Sequence, residues 1–265
     1  MPTWLMYFSF AIVLILASTA LFFFTLTRGA LILRGAISGL NDDAAHVYPI
    51  YSNMRLIRLI DFQPIISAIL LFQYHRLVSA ITHSLKSTDL RGKKVLITSC
   101  AFGNVIPRVV TASIEAGAQR VLIADIIKNE LDHAESKLLG HSGKIEFLEE
   151  NATAMKQADG SVAANVIFFL LHELPHHLKG QALAEAGRVL APGGKLYLAE
   201  FHRPELWVLR ALSWTYFKVF EPLGLALWDT HDPLKQLEEM KGFTCERHTV
   251  FFGNFQILVA TKSDV

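Results

Sequence analysis

The sequence predicts an α/β fold: a mainly parallel sheet with helices on both faces, closed by a C-terminal antiparallel hairpin and preceded by an N-terminal transmembrane helix. Three observations predict it. From residue 94 onward, apolar runs of strand length alternate with helical stretches, the pattern that winds a parallel sheet. Near the end, residues 245–252 and 255–261 flank Gly253-Asn254, a pair suited to a two-residue hairpin turn. At the start, residues 4–26 carry no charge at all.

That first run is long enough to cross a bilayer core as a helix, which takes about 20 apolar residues. Trp4 and Tyr7 stand near one end, and Arg28 and Arg34 follow the other. The positive-inside rule then puts the rest of the chain in the cytoplasm. A cleaved signal peptide is the rival, but Met1, Pro2 and Thr3 supply no basic start and the apolar run is too long for one. The chain divides into an anchor over 1–29, an interfacial or amphipathic helical segment over 30–88, and a catalytic domain over 89–265. Within the middle segment, Pro64 breaks the apolar stretch 56–71 into two short helices, lying on the domain or on the membrane surface.

The composition narrows the function. The chain has 265 residues, 52% hydrophobic and 18% charged, which excludes disorder. Lys and Arg number 25 against 24 Asp and Glu, so no basic face is built for nucleic acid. Two cysteines, Cys100 and Cys245, exclude a disulfide framework and a cysteine-rich zinc module.

The elements of the domain follow in order. Residues 94–99 form the first strand, with Val95, Leu96 and Ile97, and a helix follows to Gly117 with Pro107 in its first turn. Residues 120–125 form the second strand, a helix runs to residue 139, and 144–149 form the third strand. Residues 162–171 are almost wholly apolar, as a strand buried on both faces should be. A helix over 177–190 stops at Ala191-Pro192-Gly193-Gly194, and 195–201 form the fifth strand.

In such sheets ligands bind at the carboxyl ends of the strands, so chemistry is sought there. The turn after strand one, Cys100-Ala101-Phe102-Gly103-Asn104, offers one glycine for close approach to a nucleotide. Asp125 ends strand two, where a carboxylate can accept both hydroxyls of a ribose, with Ile126 beside it. After strand three, Asn151 could pair with an adenine amino group while Ala152 leaves room for the ring; a plain polar loop is the alternative. No G-x-x-x-x-G-K-[ST] occurs, which excludes a P-loop, and no G-x-G-x-x-G occurs, which argues against a dinucleotide dehydrogenase.

After strand four stands His172-Glu173-Leu174-Pro175-His176, a literal H-E-x-x-H. A membrane metalloprotease would need both histidines on one helix, yet Pro175 sits inside it and the preceding run is of β type. His172 and Glu173 instead suit acid/base work or substrate polarisation at a strand end. Glu200, Phe201, His202 and Arg203 follow strand five in the same way, with an ion-paired loop as the alternative.

Strand one with its glycine turn, Asp125, the segment Leu190-Ala191-Pro192-Gly193-Gly194 and the final hairpin together resemble the Rossmann-like sheet of class I S-adenosylmethionine-dependent methyltransferases. Shorter motifs, namely residues 168–173 with Pro175, Phe201-His202-Arg203-Pro204, Glu221-Pro222-Leu223 with Leu227-Trp228, and Phe251-Phe252-Gly253, resemble the RquA rhodoquinone-biosynthesis family. That resemblance implies that S-adenosylmethionine donates an amino group in place of a quinone methoxy group, with support from manganese (Mn2+). It implies a lipid-soluble substrate, for which the bilayer anchor is suited. It places Cys100, Gly103 and Asp125 on the cofactor, His172, Glu173 and His202 at the chemistry, and Tyr51 on the substrate; the strand-end reading adds Ala101, Asn104, Ile126, Asn151 and Ala152 to the cofactor and Phe201 to the substrate. The chain departs from that family at Asn104, where the family has Asp, and at Glu200-Phe201-His202, where it has Asp-Tyr-His. Ordinary methylation of a quinone precursor, a phospholipid or a small molecule stays open beside amino transfer.

Overall fold

The computed structural model describes residues 3–26, 29, 51, 53–138, 140 and 143–264. They fall into two compact units, Met1–Asn53 and Met54–Val265. The first contains helix α1, Thr3–Leu26, whose stretch Thr3–Phe22 has a mean hydropathy of 2.2 and is long and apolar enough to cross a bilayer. Residues 30–50, the start of the segment expected as interfacial or amphipathic over 30–88, lie outside the described residues.

The second unit opens with two short helices, α2 (Met54–Ile60) and α3 (Gln63–Ile69). Pro64 sits in the first turn of α3, where its missing N–H costs nothing, so the break falls at Asp61-Phe62 just before it. Helix α4, Tyr74–Lys86, leaves α3 at 95°. Its Tyr74, Leu77, Val78, Ile81 and Leu85 recur at helical spacing and are all fully buried.

The sheet has seven strands: β1 (Lys94–Thr98), β2 (Arg120–Asp125), β3 (Ile145–Glu149), β4 (Val162–Phe168), β5 (Leu190–Phe201), β6 (Phe243–Val250) and β7 (Phe255–Lys262). Their order is β3-β2-β1-β4-β5-β7-β6. The first five are parallel, and β7 runs antiparallel to both β5 and β6. The chain reverses its winding between β1 and β4, so a crevice opens at their carboxyl ends. Between strands lie α5 (Val105–Glu115), α6 (Lys128–Ser136), α7 (His176–Val189), α8 (Trp207–Val219), a 3₁₀ helix (Pro222–Trp228) and α9 (Pro233–Glu239).

Side-chain alternation divides the core into two layers. Val95 and Ile97 of β1 pack with α4 and α5 on one face, while Leu96 packs with Ala182, Leu183 and Ala186 of α7 on the other. Truncating fully buried Leu96 to alanine would cost about 2–5 kcal/mol.

The C-terminal turn departs from expectation. Val250 pairs with Phe255, so four residues form the loop rather than Gly253-Asn254 alone. Phe251, Phe252 and Gly253 all have φ of 52–78°, and Asn254 N–H closes the loop on Phe251 O at 3.0 Å. Two aromatic residues in the left-handed region left no mark in the turn composition. The fourth strand also ends earlier than the apolar run suggests, at Phe168, because Phe169 turns to φ 55°.

Candidate cofactor and substrate site

The carboxyl end of β1 is shaped by backbone strain and by Asp125. Ser99, a non-glycine residue, takes φ 78° and swings the chain away from the sheet. Buried Asp125 catches the turn that follows: its Oδ2 accepts from Cys100 N–H at 2.6 Å and its Oδ1 from Ile127 N–H at 2.8 Å. Burial raises its pKa and the amide donors pull it back. The expected ribose-binding acid thus also fastens the β1 and β2 turns together. Burial and the charge of Asp125 push the Cys100 thiol well above its ordinary pKa, so it is a packing residue rather than a nucleophile.

Gly103 takes φ +84°, and a Cβ there would lie 2.4 Å from Tyr74 Oη. No other residue fits. Its N–H donates to Asp61, from the α2–α3 break. The other oxygen of Asp61 meets His133 Nε2 at 2.6 Å and Lys137 Nζ at 2.9 Å, and Lys137 also reaches Gly103 O at 3.0 Å. A backbone N–H beside the start of α5, an ammonium and an imidazole thereby converge on one carboxylate, the donor set of an anion site. Glu130 on α6 lies beneath; burial first, then the charge of Asp125, lifts its pKa to about 9, and its Oε1 has no partner. Nothing in the spacing of Asp61, Glu130, His133 or Lys137 singled them out. Asn104, the N-cap residue of α5, is exposed, as is half of Ile126. Asn151 uses its Oδ1 to accept from Thr153 N–H and Oγ1, both at 2.9 Å, and Ala152 packs against the second core layer.

The ends of β4 and β5 carry buried ions. His172 Nδ1–H donates to Glu200 Oε1 at 3.1 Å, and its backbone N–H to Oε2 at 3.3 Å. Phe201 N–H adds a third bond to this carboxylate at 2.8 Å, and Glu200 is wholly buried. Burial alone would discharge the imidazole, yet Glu200, then Glu173 and Glu221, carry its pKa up to about 9. His172 is therefore an imidazolium at neutral pH, with Nε2 4.0 Å from Glu173 Oε1. Close by, fully buried Lys179 donates to Leu171 O and, at 2.7 Å, to Leu174 O. Burial lowers its pKa to about 8.

The other expected residues separate. His202 turns from His172 toward the β6–β7 loop: Nδ1–H donates to Gly253 O at 2.7 Å, and Nε2 meets Arg247 at 3.3 Å. Burial lowers its pKa. It braces β5 against the hairpin. Phe201 is buried in a row of rings, Tyr74, Phe168, Phe169, Phe201, Phe217 and Trp228, with successive centroids 4.9–6.0 Å apart and planes 70–87° apart. Tyr51 belongs to the first unit. The H-E-x-x-H pair does not share a helix: His172 stands in the loop after β4 and His176 begins α7 after Pro175. Among the described residues no three His, Cys, Asp or Glu side chains gather into a metal set.

The model of the ubiE/COQ5 methyltransferase family matches residues 61–242. The ubiquinone/menaquinone biosynthesis C-methyltransferase UbiE of Shewanella pealeana is 30% identical, over 66% of this chain and 69% of that protein. The corresponding enzyme of Salmonella arizonae is 29% identical over 63% of this chain, which spans 66% of that relative's length. An O-methyltransferase family protein from Burkholderia thailandensis shares the fold with a TM-score of 0.59 and 15% identity, over 81% of this chain and 62% of that one.

Proposed function

The chain belongs to the ubiE/COQ5 methyltransferase family, and from that premise we infer that it is a membrane-anchored, S-adenosylmethionine-dependent transferase acting on a lipid-soluble quinone or its ring precursor. The observation that carries this reading is the buried His172–Glu200 pair across the β1/β4 crevice from Asp125. The two relatives, C-methyltransferases of ubiquinone and menaquinone biosynthesis, support the substrate class. The apolar helix α1 supports the membrane setting, and Arg28 and Arg34 after it support a cytoplasmic domain.

When bound, S-adenosylmethionine supplies an electrophilic methyl group on its sulfonium. The chain's own residues do the rest. Asp125 accepts ribose hydroxyls, while Ile126, Asn151 and Ala152 border the base. The gap between His172 Nε2 and Glu173 suits a ring hydroxyl. There Glu173 takes the hydroxyl proton, and the His172 imidazolium holds the oxyanion through Nε2–H, which enriches the adjacent ring carbon as nucleophile. Glu200 fixes the imidazole's orientation and charge. Phe201 and its ring neighbours exclude water.

RquA-like amino transfer is the finer reading. It is favoured by one observation: the segments that carry the resemblance gather at one edge. His172 packs on Phe201 with ring centroids 5.0 Å apart, Gly224 fits beneath His172 Cβ, and Glu205 N–H bonds Phe252 O at 2.8 Å. Manganese has no donor set among the described residues. Mass spectrometry of a methoxy-bearing quinol with one free ring carbon, incubated with detergent-purified enzyme and S-adenosylmethionine, decides the matter. A heavier, methylated product is expected for methyl transfer, and a lighter one, amino for methoxy, for the finer reading. Bound cofactor without any quinone product overturns the substrate class, and absence of cofactor binding overturns the whole reading.

A further inference from the structure

Helix α8 inverts the usual arrangement of a surface helix. Only Phe217 is buried; Trp207 is 77% exposed and Leu212 64%, with Val208, Trp214 and Val219 also outward. A soluble helix turns its polar face to water, and contiguous apolar exposure marks an interaction site. The charge pattern says what kind. From Leu206 to Phe220 there is no acidic residue, while Arg210 and Lys218 lie among the apolar side chains, and Lys218 Nζ sits 5.5 Å from the Trp214 ring.

Beneath the helix lies an open groove of about 600 Å³, bordered by Trp207, Trp214, Trp228, Arg210 and the Arg203–Asp229 pair, 2.9 Å apart. The buried indole N–H of Trp228 has no acceptor. Indoles with cationic side chains along a helix that itself carries no acid are the composition of a helix lying in the headgroup region of an anionic bilayer. The same edge of the sheet carries a second such surface. Phe62, Ile65, Ile69 and Phe72 of the α3 region are exposed, with Phe72 at 76%. α4 follows that region and its Tyr74 reaches the β1 turn, while α8 rests through Phe217 on Phe201 at the end of β5.

We propose that the outer face of α8 is a bilayer-docking surface that takes an anionic lipid headgroup layer and sets the mouth of the crevice against the membrane. This rests on the membrane setting inferred above. The full chain, with Cys245→Ser and Leu212→Cys, is labelled at residue 212 with an environment-sensitive fluorophore and reconstituted into phosphatidylcholine vesicles with or without phosphatidylglycerol. Leu14→Cys reports on α1, and Glu238→Cys, on the exposed side of α9, reports on water. The probe at 212 is expected to shift to the blue and to be quenched by nitroxide lipid, more strongly with phosphatidylglycerol. Lys218→Glu should remove that lipid preference. A probe at 212 that emits as in water while the one at 14 is quenched overturns the docking surface and leaves the anchor standing. Water-like emission at both positions overturns both. A probe at 212 already shielded in detergent, and unchanged by lipid, assigns the face to a protein partner and overturns the lipid assignment.

Discussion

The two halves of the carboxyl edge handle charge in opposite ways. On the β1–β2 side, carboxylates from Asp125 and Asp61 hold backbone N–H groups, and each bond is one that a ligand could make instead. On the β4–β5 side, an imidazolium and a carboxylate are buried as a pair, and an ammonium buried beside them is held by two backbone carbonyls. The first half exchanges partners on binding; the second keeps a fixed field aimed at one place. Binding and chemistry are thus separated along one sheet edge. The same division explains why a single polar mutation should act on affinity on one side and on turnover and stability on the other.

The largest break should come from Glu200→Gln. It strands the His172 charge in the core, and removing one partner of a buried pair costs about 3–5 kcal/mol. The His172 pKa, followed by NMR, should fall from about 9 toward or below its ordinary 6.5, with turnover down about 10²-fold or more. An unmoved pKa would show that Glu200 does not set the charge. Asp125→Ala comes next. It removes an acceptor of two backbone bonds and the ribose contact, so S-adenosylmethionine affinity by calorimetry should drop at least about 100-fold, with stability down about 2–3 kcal/mol.

The acid–base behaviour of the second half sharpens the comparison. His172 has a raised folded pKa, so its pair stabilises fully below pH 6.5 and is lost as pH rises through about 9. Lys179 has a lowered one; its burial cost is complete below about 8 and is relieved toward 10.5. From pH 6.5 to 8 His172 acts without Lys179, and in a Glu130→Gln background, which removes the other group raised to about 9, denaturant stability should fall by up to about 2 kcal/mol. Above 8 the two oppose each other, and Lys179→Met should expose the continued decline. The smallest effect belongs to Asp61→Asn. It weakens the bonds to His133 and Lys137 and should lower stability by about 1–2 kcal/mol, while raising cofactor affinity a few-fold because the Gly103 N–H is easier to vacate. A loss of affinity would instead make Asp61 part of the cofactor site.

The fold was readable because apolar runs buried on both faces leave little choice of element, and because Asp125 and His172 fall where strands end. The rest of the site was not readable for reasons of distance and conformation. Asp61 meets Gly103 across 42 residues and Lys137 across 76. Lys179 reads as a solvated helical lysine until Leu171 O and Leu174 O close over it. His202 stands two residues after Glu200, where strand alternation would put both on one face, but β5 ends at Phe201 and His202 turns to Gly253 O instead. Ser99, Phe169, Phe251 and Phe252 adopt left-handed conformations that no glycine announces.

The edge-to-face row from Tyr74 to Trp228 has a consequence for motion. Each ring is wedged by its neighbour's edge, and interiors at crystal-like density leave no free volume for a half-turn about the ring axis. Phe168, Phe201 and Phe217 should therefore flip slowly and together, giving separate NMR signals for the two sides of each ring where ordinary phenylalanines show one. The chain of rings would then behave as a single stiff rod, so that a ligand pressing on Tyr74 at the cofactor turn is felt as a change of flip rate at Trp228's neighbour, Phe217, under the helix at the other end.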